Sequence, residues 1–226
     1  MKIAIVGTGM VGQALAGRLA ELGHEVTVGT RDVAATMVHT EPDGMGNPPF
    51  SAWAPAHPTV KLDTFAAATA DAELIVNATS GNVSMAALTA VGADNLAGKV
   101  VLDIANPLDF SNGFPPTLFV KDTDSLGEQI QAAFPQAKVV KALNTLTAAL
   151  MVNPKLLADG DHSVFVCGND AEAKRTVTDL LESFGHTDVI DLGDITTARG
   201  TEMVLPIWLR LMGTLNTPMF NFKIVR

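Results

Sequence analysis

Four apolar residues, Ile3-Ala4-Ile5-Val6, run directly into Gly7-Thr8-Gly9-Met10-Val11-Gly12. The apolar run reads as a buried parallel strand, and G-x-G-x-x-G opens a helix whose apolar positions (Val11, Leu15, Leu19, Leu22) recur at helical spacing until Gly23. A second strand, Glu25-Val26-Thr27-Val28, follows at once. The glycine pattern alone is weak; strand before, helix after and second strand at the right distance make it specific. Gly7 permits a tight turn, Gly9 lets backbone N–H groups approach a pyrophosphate, and Gly12 lets helix and strand pack closely. The helix's unpaired N–H groups and positive dipole end, with Met10 and Val11 in its first turn, then bind phosphate. The expectation is a dinucleotide-binding βαβ unit.

The rest of the chain keeps the same rhythm. Strands are expected at 74–76, 100–104, 138–140, 164–167 and 189–190, and helices at 84–91, 125–134, 146–151 and 171–184, with a long amphipathic stretch at 197–215. Strict alternation predicts an α/β fold, a doubly wound parallel sheet of the Rossmann, NAD(P)-binding type, with a short C-terminal α/β extension. Residues 1–145 are expected to form the dinucleotide-binding core. Residues 146–226 are expected to complete an acceptor pocket and a dimer contact. One segment, 33–58, breaks the rhythm with Pro42, Pro48, Pro49, Pro55 and Pro58, which rule out a regular helix along it. Its Phe50 and Trp53 argue for a folded lid or dimer arm, or else a surface insertion.

Bulk properties exclude several classes of function. Of the 226 residues, 47% are hydrophobic and 17% charged, too apolar for disorder. Mean hydropathy of +0.26 suits a sheet buried on both faces. A net charge of −9 repels phosphate backbones and anionic lipid, so nucleic acid and membranes are not expected partners. The single cysteine, Cys167, lies in an apolar run and reads as a buried, inert thiol in a reducing, cytoplasmic setting. No signal peptide is legible at Met1, and Pro206 and Arg210 interrupt the apolar stretch from Val204 to Leu215, which is too short to span a bilayer. The histidines are scattered without ligand spacing, so no metal site is expected.

The end of the second strand bears on which dinucleotide is bound. An NAD site places a carboxylate there for the ribose 2′-OH. This chain has Thr30-Arg31 instead. A guanidinium suits a phosphate monoester, and one such contact favours NADP over NAD by roughly ten- to a hundredfold, unless Arg31 pairs with its neighbour Asp32. No acid–base group stands out: Lys141 ends a strand and Lys174 lies on a solvated face. Hydride transfer between two ring systems needs neither acid nor base, only stacking and distance.

The residues Ile3 to Gly12, Leu22-Gly23-His24-Glu25, Thr30-Arg31, Lys138 to Thr145, Val166-Cys167-Gly168-Asn169-Asp170 and Glu202 to Pro206 resemble the NADP-dependent 8-hydroxy-5-deazaflavin (coenzyme F420) oxidoreductase family. The Lys-Ala-x-Asn segment is also similar to the cytosolic NADPH domain of six-transmembrane metalloreductases. The resemblance implies that Thr8, Thr30 and Arg31 surround the 2′-phosphate of NADP(H). It implies that Asn77-Ala78-Thr79-Ser80 and Asn106-Pro107 line the ribose and nicotinamide. Ala142, Asn144 and Thr145 would sit beside the ring on which coenzyme F420, or FMN or FAD, stacks as second substrate. It further implies a homodimer whose C-terminal helix and tail help close the acceptor pocket. The family has a histidine at Asn144, so Asn144 is expected to position rather than to transfer protons. It also has a further basic residue where this chain has Ala34 and Ala35.

Three functions are therefore in play. The first is an NADPH-dependent oxidoreductase passing hydride to a deazaflavin or flavin. The second is a small imine or β-hydroxyacid reductase, disfavoured because a single helical stretch after the last strand is too little for the helical domain those enzymes add. The third is a non-catalytic NADP(H) sensor that meets a partner through Phe50 and Trp53.

Overall fold

The computed structural model describes residues 1–44 and 46–226. β1 (Lys2–Val6), α1 (Met10–Glu21) and β2 (Glu25–Thr30) form the opening unit, and the 33–58 segment follows, with Met45 outside the described residues. That segment contains two short helices, α2 (Val33–Val38) and α3 (Phe50–Trp53). α2 corrects the reading of 33–58 as helix-free: the first proline comes only at Pro42, and the Asp32 carboxylate caps the helix by accepting the Ala35 N–H at 2.9 Å. Next come β3 (Lys61–Thr64), α4 (Phe65–Ala70), β4 (Leu74–Asn77), α5 (Gly81–Val91), α6 (Ala93–Leu96) and β5 (Val100–Asp103). A two-stranded hairpin of β6 (Leu108–Asp109) and β7 (Thr117–Leu118) precedes α7 (Leu126–Ala133) and β8 (Lys138–Ala142). The chain closes with α8 (Ala148–Val152), β9 (Ser163–Gly168), α9 (Ala171–Phe184), β10 (Asp188–Asp191), α10 (Ala198–Met203) and α11 (Leu205–Leu215). The long C-terminal stretch is thus two helices, parted at Val204 where Pro206 has no N–H to continue the ladder.

Eight strands make one sheet in the order β10-β9-β8-β5-β4-β1-β2-β3. It is doubly wound. Ile3 and Ile5 of β1 face Leu15 and Leu19 of α1, Leu150 of α8 and Val177 of α9. Ala4 and Val6 face the opposite layer, with Leu88 of α5 and Ile130 of α7. Each fully buried aliphatic side chain of this kind contributes about 1.5–3 kcal/mol. The expected parallel order holds from β3 to β8, but β9 pairs with β8 antiparallel, and β10 runs with β9. The reason is the length of α8. Its five residues rise only about 7.5 Å, less than half the roughly 16 Å needed to return along β8. The chain therefore enters β9 near the edge where β8 ends.

Behind α8 the two buried histidines meet edge to face, with ring centroids 6.1 Å apart. His186 donates from Nε2 to the Met151 carbonyl at 3.0 Å, and its Nδ1 has no partner among the described residues. Burial, together with the neighbouring His162 ring, pushes the His186 pKa down despite the Met151 bond. The unfolded chain then takes up this proton first as pH falls below about 6.5, so the folded state loses stability there, by at most about 1.4 kcal/mol per pH unit. Thermal unfolding is expected to be flat near pH 7–8 and to fall between pH 6.5 and 5, and His186→Gln should flatten that slope. An unchanged slope in the variant contradicts this account. Among the described residues no helix is long and apolar enough to cross a membrane.

Candidate functional site

The glycine-rich turn is shaped by contacts that admit no side chain. Gly7 has φ +123°, and a Cβ there would lie 2.7 Å from the Ala78 carbonyl oxygen. A Cβ on Gly12 would lie 2.2 Å from the Gly7 carbonyl oxygen. Gly9 differs: among the described residues nothing lies within 4 Å of its missing Cβ, and no side chain satisfies the first N–H groups of α1, which it caps. This is an open cradle of unpaired donors at a positive dipole end, which fits a pyrophosphate.

The cradle opens into a cavity of about 550 Å³. Thr8, Gly9, Met10, Thr30 and Arg31 line it, so the structure brings these expected residues together. Its far wall is the proline-rich segment, through His39, Pro48, Pro49 and Phe50. The segment is neither a free arm nor a cover for the other end of the site. Phe50 is buried in the core, and Trp53 stacks on His57 at 3.8 Å against Gly17 of α1. Gln13 bolts it down, donating to the Thr8 carbonyl at 2.9 Å and the Pro48 carbonyl at 3.2 Å.

Thr30 and Arg31 differ in how far they are committed within the chain. Thr36 Oγ1 donates its proton to the Asp32 carbonyl at 2.8 Å, so Thr30 is the donor in the 2.7 Å Thr30–Thr36 contact. Thr30 thus ties α2 to the strand end. Arg31 is exposed and makes no hydrogen bond or ion pair among the described residues, Asp32 being occupied as the α2 cap. Three carboxylates, Asp32, Glu41 and Asp43, also line the cavity and offset part of its attraction for an anion.

The other expected residues gather along the ends of β4, β5 and β8. Ala78 donates to the Val6 carbonyl at 3.0 Å, which seats the Ala78-Thr79-Ser80 loop on the glycine turn. Asn77 is a correction. It is fully buried, donates to Asp103 at 2.8 Å and Ser84 at 3.2 Å, and accepts from the Thr79 hydroxyl at 2.7 Å, so it organises the loop and lines nothing. Asn106 and Asn144 face each other: each donates to the other residue, at 2.9 and 3.1 Å, and Asn144 also donates to the Thr201 carbonyl at 3.1 Å. Pro107, Ala142 and Thr145 are buried around this pair. The C-terminal tail does not lie over it; the Ser163 N–H donates to the Phe222 carbonyl at 2.9 Å, beside β9.

The family described as NADP oxidoreductase, coenzyme F420-dependent, matches residues 2–107. A crystal structure of a protein from Arthrobacter sp. FB24, described as a candidate F420-dependent NADP-reductase, is 65% identical over the whole of both chains, with a TM-score of 0.96. This chain belongs to the F420-dependent NADP oxidoreductase family. The F420-dependent NADP reductase of Methanocaldococcus jannaschii is 33% identical over 52% of this chain and 52% of its own length. Metalloreductase STEAP3 of Rattus norvegicus is 29% identical over 92% of this chain but only 38% of its own length. The chain thus spans about half or less of these two relatives.

In this member of the family, a charged centre that residue type alone does not reveal lies beneath the Asn106–Asn144 pair. Asn77, Asp103 and Lys141 stand in register on adjacent strands. Lys141 Nζ lies 2.8 Å from Asp103 Oδ2 and 2.8 Å from Glu202 Oε1, and also donates to the Ala105 carbonyl. Glu202 in turn accepts the Leu126 and Gly127 N–H groups of α7 at 2.8 and 3.1 Å. All three charged side chains are at most 1% exposed. Burial alone would lower the Lys141 pKa, but Asp103 and Glu202 outweigh it and the pKa is raised, so the ammonium stays charged. The available signal was a charge inside two apolar strand runs, Asp103 after Val101-Leu102 and Lys141 after Val139-Val140.

Proposed function

We propose that this chain passes hydride between NADP(H) and a deazaflavin acceptor, coenzyme F420 before FMN or FAD. The observation that carries the reading is the unpaired Arg31 beside the open N-terminus of α1, with no carboxylate at the end of β2. The α1 N–H groups would hold the pyrophosphate and Arg31 the 2′-phosphate. Bound NADPH supplies the hydride. Around the Asn106–Asn144 pair the uncharged polar side chains are amides and hydroxyls, and the charges below it are buried and mutually paired. These residues orient rings and exclude water without moving a proton. That favours ring-to-ring hydride transfer over imine or hydroxyacid reduction.

The deciding experiment mixes the protein anaerobically with NADPH and F420, FMN or FAD and follows NADPH absorbance. Oxidation with F420 supports the reading. No oxidation with any of the three overturns it in favour of an NADP(H) sensor. Calorimetry is expected to show NADPH binding at least ten-fold tighter than NADH, and Arg31→Ala should remove most of the gap. Equal affinities in the parent protein contradict the 2′-phosphate assignment. We also propose a homodimer through α11, whose Ile207 and Leu215 are more than half exposed while Leu205 and Leu209 are buried. Light scattering at micromolar concentration should report twice the chain mass; a monomer sinks the proposal.

A further inference from the structure

A second cavity, about 360 Å³, lies between the β6–β7 hairpin and the C-terminal helices. Pro115, Leu118, Met203 and Pro206 give it apolar walls, and Lys121 and Arg210 stand on its lining. Most cations of this acidic chain are spent on carboxylates or carbonyls, as Lys61 is on Glu25, Arg199 on Glu128 and Lys99 on the carbonyls of Thr69 and Ala70. Lys121 and Arg210 have no such partner among the described residues. Two free cations converging on an apolar recess form a local anion site on a surface that otherwise repels anions.

The elements around this cavity are those that meet the Asn106–Asn144 pair. β6 begins one residue after Pro107, and the Phe119 N–H donates back to the Pro107 carbonyl at 3.0 Å. Met203 lies two positions beyond Thr201, whose carbonyl accepts the Asn144 amide. We propose that the second cavity takes the phosphate or carboxylate end of the hydride acceptor, with Lys121 and Arg210 as its anion ligands. A ring seated at the amide pair would then direct its tail outward across Leu118 and Met203. This rests on the hydride-transfer reading above, which supplies the acceptor.

The test titrates the full chain, with its dinucleotide site saturated by NADP⁺, against fluorescent acceptors that differ only in the anionic tail. FMN is compared with riboflavin, and coenzyme F420 with bare 8-hydroxy-5-deazaflavin. The double variant Lys121→Ala, Arg210→Ala should weaken FMN and F420 binding by roughly five- to tenfold, as two exposed charge contacts allow. Riboflavin and bare deazaflavin should shift less than about two-fold, and NADPH affinity and thermal unfolding should not change, because both side chains are exposed. Arg210→Lys should restore part of the loss. Equal weakening of tailed and tail-less ligands overturns the proposal, as does no weakening, or no saturable binding of any tailed acceptor. If tail-dependent binding is found but NADPH is not oxidised, the hydride reading falls and the anion site stands.

Discussion

Lys141→Met is expected to destabilise the protein by about 3–5 kcal/mol. The Lys141 ammonium is the shared counter-charge of Asp103 and Glu202, at 2.8 Å from each. Remove it and two carboxylates remain in a site that water does not reach, one anchored by the Ala105 N–H and Asn77, the other by the start of α7. Against a typical total of about 5–15 kcal/mol, the loss is large. For a chain of this size it lowers the unfolding midpoint by roughly 6–20 °C. Neutralising the acids as well, with Asp103→Asn and Glu202→Gln, should recover much of it, because uncompensated charge rather than lost packing dominates. A circular-dichroism melt that moves by less than about 1 kcal/mol, or a triple variant no better than the single one, contradicts the account.

A comparison of Gly12→Ala with Gly9→Ala should separate fold from ligand at the glycine turn. The Gly12 methyl would arrive 2.2 Å from a backbone oxygen, with no flexible side chain to yield. The β1–α1 packing must then open, at about 1–3 kcal/mol or more, and NADPH binding is expected to fall at least a hundredfold as the turn deforms. The Gly9 methyl meets nothing within 4 Å but points into the open space at the helix N-terminus. Gly9→Ala should therefore melt like the parent and still bind NADPH several-fold more weakly. If both variants melt normally, the close packing of Gly12 is not what the turn requires. If Gly9→Ala binds normally, the phosphates lie elsewhere.

The parallel centre of the sheet was legible because its strands are continuous apolar runs, as in Leu74-Ile75-Val76, and its helices carry one apolar stripe each. What escaped had no such period. β3, Lys61-Leu62-Asp63-Thr64, is a mostly exposed edge strand with one apolar residue. The reversal of β9 depends on how far α8 can carry the chain, a length that alternation alone does not register. At the site, Gly7, Gly9, Gly12 and Arg31 were readable because each acts through its own backbone or charge. Thr30, Asn77 and Lys141 were misjudged because their side chains are committed to partners elsewhere in the chain: Thr36, Asp103 and Glu202. Residue type shows what a side chain can do; only the fold shows what already occupies it.

The strand order also decides how copies of this chain can meet. A sheet that ends on a long apolar strand invites another sheet to add to it. Here both outer strands are four residues long and carry charge: β3 with Lys61 and Asp63, β10 with Asp188 and Asp191. Lys61 is engaged with Glu25, and Asp188 is held by Ser163 and Arg226. Adding a ninth strand at either margin would bring these charges against a neighbour's backbone and break their existing bonds. The margins of the sheet thus disfavour strand addition, and the proposed contact through α11 would leave the continuous ribbon of hydrogen bonds eight strands wide.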